Sequence, residues 1–250
     1  MEICCGSARD AYEAFCGGAP RVELCSALEA GGLTPSCGCI SQTIESCPGM
    51  DINVLIRPRK GNFVYSPEEL AEMEKDIAFC REAGAHGVVF GALTPEGDID
   101  IDACKRLLAA AKGETGKGTP MSCTFHRAFD VCRDPFSVLE TVIFLGFNTI
   151  LTSGQASSAE AGISRLRDLV KAAAGRIVIM PGLGINPANI SRIESLTGAR
   201  EFHSSASLSE DPEPVYINPA VDFAENKPRR RTDRAIVRRL AGSPEGTLSA

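Results

Sequence analysis

Short apolar runs recur along the chain, each closed by a polar or charged residue and followed by a stretch with helical spacing. In order they read Glu2-Ile3-Cys4-Cys5, Val22-Glu23-Leu24-Cys25, Val54-Leu55-Ile56-Arg57-Pro58-Arg59 and Val88-Val89-Phe90-Gly91. Then follow Cys123-Thr124-Phe125-His126-Arg127, Ile150-Leu151-Thr152-Ser153-Gly154, Ile177-Val178-Ile179-Met180-Pro181-Gly182 and Glu201-Phe202-His203-Ser204-Ser205. Eight strand–helix units of this kind predict an α/β protein, a single-domain (β/α)8 TIM barrel. In that fold the strand C-termini open on one mouth where ligands bind, so these polar strand ends are expected to share a site.

The intervening stretches carry helix signals. Ser7 is placed to cap a helix running to Gly17, and Ser66-Pro67-Glu68-Glu69 supplies a cap, a first-turn proline and acids at the helix N-terminus. That second helix buries Leu70, Met73, Ile77 and Cys80 on one face and ends near Gly84. Asp134-Pro135 opens another helix ending at Gly146, and Asn186-Pro187 opens one reaching Gly198. Residues 1–206 are read as the barrel, 207–228 as an irregular loop, and 229–250 as a basic C-terminal helix and tail that completes it. Lys112 to Pro120 is a polar loop.

Side chains two apart share a strand face. The apolar sets Ile3/Cys5 and Val22/Leu24 suit packing under the helices, which turns Glu2, Cys4, Glu23 and Cys25 into the barrel. If adjacent strands are in register, Cys4 and Cys25 stand about 5 Å apart. Two such thiols either hold a soft metal, Cu(I) or Zn, or sit as inert buried sulfur. Arg57 shares the inward parity and is a candidate partner for Glu23, since an isolated buried carboxylate is costly. Two of the three histidines, His126 and His203, fall at matching strand ends. They are candidate acid/base groups or metal ligands, or else packed core residues. Gly182 and Gly184, leading into the helix opened by Asn186, are candidate anion-binding positions, although turn geometry explains a Gly-x-Gly equally well.

Composition narrows the classes. Apolar content of 44% and charged content of 23% are those of a globular domain. No run reaches the roughly 18 apolar residues of a membrane helix, and no targeting segment precedes the first strand, so the chain is expected in the cytoplasm with no membrane partner. The 11 cysteines are odd in number and scattered, which speaks for reduced thiols rather than a disulfide framework. Residues 227–250 hold seven Lys/Arg against two acids, whereas residues 1–226 hold 19 against 30. An acidic body argues against nucleic acid as a partner. The basic end is read as a solvated final helix lying on that body, the alternative being a localisation or partner patch. No lysine lies on a predicted strand, which removes a Schiff-base nucleophile, and HExxH and P-loop motifs are absent.

The strand ends together resemble the CutC copper-homeostasis family. Matching stretches are Glu2-Ile3-Cys4-Cys5, Arg21-Val22-Glu23-Leu24-Cys25, Gly31-Gly32-Leu33-Thr34-Pro35-Ser36, Ile56-Arg57-Pro58-Arg59 and Phe63-Val64-Tyr65-Ser66. Thr124-Phe125-His126-Arg127-Ala128-Phe129-Asp130, Leu151-Thr152-Ser153-Gly154 and Glu201-Phe202-His203-Ser204-Ser205-Ala206 extend the likeness over roughly residues 1–206. Where the family reads Arg-Gly-Gly-Asp-Phe, this chain has Arg59-Lys60-Gly61-Asn62-Phe63, which puts any acidic role of that loop in doubt.

The resemblance implies a cytoplasmic barrel, commonly a homo-oligomer, that takes part in copper homeostasis and binds copper as Cu(I), with its metal cysteines at Cys4 and Cys25. No organic cofactor is implied. Glu2, Glu23, Arg57, His126, Arg127, Asp130, Ser153 and His203 would surround the thiols. The rival expectation is a TIM-barrel enzyme for a small phosphorylated or carboxylated metabolite. Arg57 and Arg127 would then hold the anion, and His126, His203 or a carboxylate would move protons.

Overall fold

The computed structural model describes residues 1–113, 120–210, 220 and 229–242. The centre of the 112–120 loop, most of the 207–228 segment and the tail from 243 lie outside the described residues.

The parallel strands are β1 (Glu2–Cys5), β2 (Arg21–Leu24), β3 (Asp51–Leu55), β4 (Gly87–Phe90), β5 (Ser122–Phe125), β6 (Thr149–Thr152), β7 (Val178–Pro181) and β8 (His203–Ser204). They follow one another around the sheet as β7-β6-β5-β4-β3-β2-β1-β8, a nearly closed barrel with its seam between β7 and β8. A helix follows each of the first seven: α1 (Ala8–Cys16), α2 (Cys37–Ser46), α3 (Pro67–Ala83), α4 (Ile101–Lys112), α5 (Pro135–Leu145), α6 (Ile163–Ala173) and α7 (Ile190–Thr197). The strands end one or two residues earlier than the apolar pattern predicts, so Cys25, Arg57 and His126 sit just past the sheet, on the rim.

Parity sorts the side chains as expected. Ile3, Cys5, Val22, Leu24, Val54, Ile56, Val88 and Phe90 are fully buried in the core between sheet and helices. Each such aliphatic side chain is worth about 1.5–3 kcal/mol by burial. The opposite parity puts Cys25, Leu55 and Val89, with Cys4 beside them, in a separate cluster inside the barrel. The register differs from the expected one. Cys4 pairs with Glu23 and Cys5 with Leu24, so Cys4 and Cys25 are diagonal neighbours rather than opposite partners.

Caps explain most helix boundaries. Ser7 Oγ accepts from the Asp10 amide at α1, and Asp134 Oδ1 accepts from Phe136 and Ser137 at α5. At α3, Ser66 and Glu69 cap each other's amides reciprocally, and Gly84 ends the helix in the left-handed region. The boundary of α7 is corrected. Asn186-Pro187 opens a turn, not the helix, because Asn186 Oδ1 accepts from Ala188 N and Asn189 Oδ1 accepts from Asn186 N, delaying the helix to Ile190.

The chain end is also corrected. Residues Ser207–Glu210 form β9, and the basic run Arg229–Thr232 is its antiparallel partner β10 rather than part of a helix. Glu210 explains the pairing, since it receives Arg229 at 3.3 Å and Arg231 at 2.6 Å. Helix α8 (Arg234–Ala241) then completes the outer ring, burying Val237 and Leu240 and tying Arg234 to Glu13 of α1 at 2.9 Å.

Candidate functional site

The interior of the barrel is layered. At its base Glu2 is fully buried, accepting from Arg21 Nε at 2.8 Å, from Asn53 Nδ2 at 3.0 Å and bonding His203 Nδ1 at 2.8 Å. Arg21 reaches onward to Glu201 at 2.6 Å. One layer up lie Cys4, Glu23 and Cys25. The Cys4 and Cys25 sulfurs are 3.9 Å apart, and Cys25 Sγ lies 3.4 Å from Glu23 Oε2. His203 spans the two layers, its Nδ1 on Glu2 and its Nε2 3.7 Å from Glu23 Oε2. Ligand atoms of Cys4, Glu23 and His203 all fall within 4.8 Å of one another.

These contacts set the charges. The hydrogen bond from Cys25 lowers the Cys4 thiol to about 5, against the effect of burial and helped by His203. The same bond, then burial, pushes Cys25 well above its ordinary value, so the two sulfurs hold one proton between them. Burial alone would raise Glu2, but the bond and charge of His203, then Arg21 and Asn53, hold it at about 2. Burial would discharge His203, yet its bonds to Cys4 and Glu2 outweigh that and keep it cationic. Glu23 is raised to about 8 by burial and then by the Cys4 thiolate. The result is a Cys4 thiolate beside a His203 imidazolium, with a neutral Glu23 next to them.

The expected Glu23–Arg57 pair does not form. Glu23 faces Cys25 and His203, whereas the Arg57 guanidinium turns to the loop after β2. Its Nη1 donates to the carbonyls of Ala30, Gly31 and Gly32 at 3.4, 3.2 and 3.0 Å, and its Nη2 to Gly61 at 2.9 Å. Gly31 and Gly32 curl around it at φ +87° and +85°, and a Cβ on Gly32 would come within 2.8 Å of Leu55. Arg57 is thus the keystone of the rim. Arg57→Met is expected to cost at least roughly 1.5–3 kcal/mol, the worth of one hydrogen bond from a charged donor. Urea denaturation checks this, and a loss below about 0.5 kcal/mol would show that the loop holds itself.

The remaining candidates divide. His126 is buried on the cavity wall, its ring 4.7 Å from that of Phe63. Burial, then the Arg57 charge, lowers it to about 3, so it is neutral. Arg127 lies on the rim, paired with Asp130 at 2.8 Å. Asp130 is a structural clamp, its carboxylate taken by Thr152 Oγ1 at 2.5 Å and by the amides of Ser153 and Gln155. Ser153 is buried away from the cavity, donating its hydroxyl to the Ala156 carbonyl at 2.7 Å. The anion cradle expected at Gly182 is not built. Its amide is committed to Thr152 O at 3.0 Å, and a Cβ there would stand 2.6 Å from Leu151. Gly184 lines the cavity, but its carbonyl serves Asn186 and Asn189. Asn62, the departure from the Arg-Gly-Gly-Asp-Phe pattern, accepts from Val64 N and Arg59 and so serves the turn.

Arg21, Asn53 and Glu201 were not singled out from the sequence. Each lies two residues below an inward position, and the same parity places them in the barrel.

All eleven thiols are free and seven of them are buried, as expected of small hydrophobes. Among the described residues no helix is long and apolar enough to cross a membrane.

Comparisons with known proteins identify the family and the fold. The CutC family model matches residues 1–208. A Parabacteroides distasonis protein named as a CutC is 53% identical over 206 residues, covering 82% of each chain. The human copper homeostasis protein cutC homolog is 44% identical over 221 residues, 88% of this chain and 78% of that one. The crystal structure of a Streptococcus agalactiae CutC superposes with a TM-score of 0.76 at 35% identity, over 82% of this chain and 97% of that one. An aldolase superposes at 0.62 with 12% identity, over 82% and 90% of the two chains, which reflects the shared barrel alone.

Proposed function

The chain belongs to the CutC family, and from that premise we propose that it serves copper homeostasis by holding Cu(I) between the Cys4 and Cys25 thiolates at the barrel mouth. The observation that carries this reading is the 3.9 Å separation of the two sulfurs. Two thiolates that share one ion stand no more than about 4.6 Å apart, twice a metal–sulfur bond of roughly 2.3 Å. Soft sulfur donors select Cu(I) over hard cations. His203 Nε2 and Glu23 are near enough to act as a third donor once either has lost its proton. Glu2, bonded to His203 Nδ1, is the kind of outer partner that orients a ligating imidazole. A reducing compartment such as the cytoplasm suits a pair this close, since free thiols at that distance are readily oxidised elsewhere.

Fold does not decide function, and the likeness to aldolases adds nothing to an enzymatic reading. What favours a carrier is the pairing of a low-pKa thiolate with a second sulfur in the same interior layer. The test is anaerobic titration of the reduced protein with Cu(I) against a competing chelator. One equivalent bound tightly supports the reading, and no binding above that of an unrelated reduced protein contradicts it.

The same titration has a pH dependence with a definite sign. Cys25 is protonated at neutral pH because Cys4 and burial raise it, so ligation must expel its proton. Affinity should therefore rise with pH, by about tenfold per unit for each proton released. Competition measured at successive pH values reads the slope. A flat profile would mean that Cys25 is not a ligand.

A further inference from the structure

We infer that the mouth holds a second site, beside the thiols, for a small organic carboxylate received by Arg57 Nε and His126 Nε2. Among the described residues these are two of the four buried side-chain polar atoms without a hydrogen-bond partner. Both residues are more than nine-tenths buried, at 7% and 4% exposure, and both line the same cavity. Each is a donor. Nδ1 of His126 accepts from the Ala128 amide at 3.2 Å, which leaves the ring proton on Nε2. Arg57 Nε is an N–H of a guanidinium, a group that donates and does not accept. The two groups flank one ring: the Arg57 Cζ lies 5.1 Å and the His126 ring 4.7 Å from the centre of Phe63.

A buried donor without a partner is costly, and these two belong to side chains that line one cavity, where a turn of the side chain would present each to an acceptor. Charge specifies the acceptor further. The Arg57 guanidinium bonds are to carbonyl oxygens, and among the described residues no carboxylate pairs with it. A buried cation so placed favours an anion. Size and lining specify the rest. The cavity is about 510 Å³, too large for a bare ion and within the range of small-molecule sites. Its other walls include Leu28, Leu55, Leu151, Leu183 and Ile185, so the carboxylate rides on an apolar body. This site is independent of the copper reading, because neither donor belongs to the thiol cluster.

The probe is benzoate, titrated by calorimetry into protein labelled with 15N at histidine, with benzyl alcohol and inorganic phosphate alongside. Metal-free and Cu(I)-loaded protein are compared. Saturable benzoate binding that shifts the His126 Nε2 resonance, in both metal states, is the expected result. His126→Asn keeps an acceptor for the Ala128 amide but removes the Nε2 donor, and should weaken benzoate about tenfold or more while leaving Cu(I) affinity unchanged. Should that variant fold poorly, the benzoate and benzyl alcohol titrations of the parent decide alone. The proposal is overturned by the absence of saturation, by benzyl alcohol binding as well as benzoate, by phosphate binding better than benzoate, or by a folded His126→Asn that binds benzoate like the parent.

Discussion

Replacing both Cys4 and Cys25 by serine should abolish tight Cu(I) binding while leaving the barrel folded. Serine is nearly isosteric with cysteine, and the Cys4 side chain already faces the cavity rather than the packed core. The hydroxyl, unlike a thiolate, is neither soft nor ionised at neutral pH, so both ligands are lost at once. The other buried cysteines cannot substitute. Cys80, Cys104 and Cys123 are each pushed up to about 12, chiefly by burial, and they pack under the helices. Single variants should lose less, because the remaining thiolate keeps His203 and Glu23 as neighbours. Chelator competition on the parent, both singles and the double variant measures the series, with circular dichroism confirming the fold. A double variant that retains the parent affinity would move the copper site elsewhere on the protein.

The second large effect is on stability. Glu2→Ala removes the carboxylate that Arg21, Asn53 and His203 all address, leaving two cationic groups facing an empty base layer. Breaking a buried pair in this way costs roughly 3–5 kcal/mol. Urea denaturation at neutral pH reads it directly, and a loss within about 0.5 kcal/mol would show that the base layer does not depend on Glu2. The pH dependence has a fixed direction. Glu2 lies at about 2 in the folded chain against an ordinary 4.5, so its contribution is complete above 4.5 and fades as pH falls towards 2. The gap between parent and Glu2→Ala should close over that interval.

The barrel was legible because apolar runs and helix caps repeat with the period of the fold. Parity alone turned Glu2, Cys4, Glu23, Cys25, Arg57, His126 and His203 inward. What parity could not supply was the register, and with it the partner of each charge. A shift of two residues put Glu23 opposite Cys4, and the direction of the Arg57 side chain was decided by the Gly31-Gly32 loop rather than by its strand. Asp130 shares a motif with His126, and Ser153 falls at a strand end, yet both serve the β6 rim, a distinction made only by where Thr152 and the Ser153 amide point. The basic run 229–231 was misread as helical because its pairing with Glu210 is a long-range event that no local signal announces.

The central claim is that one Cu(I) is held by the Cys4 and Cys25 sulfurs, and copper K-edge X-ray absorption on the anaerobic one-to-one complex tests it most directly. The account predicts a reduced-copper edge with a first shell of two sulfurs, lost in the Cys4→Ser/Cys25→Ser variant. A shell of nitrogen and oxygen only, or a sulfur shell that survives in that variant, would contradict it.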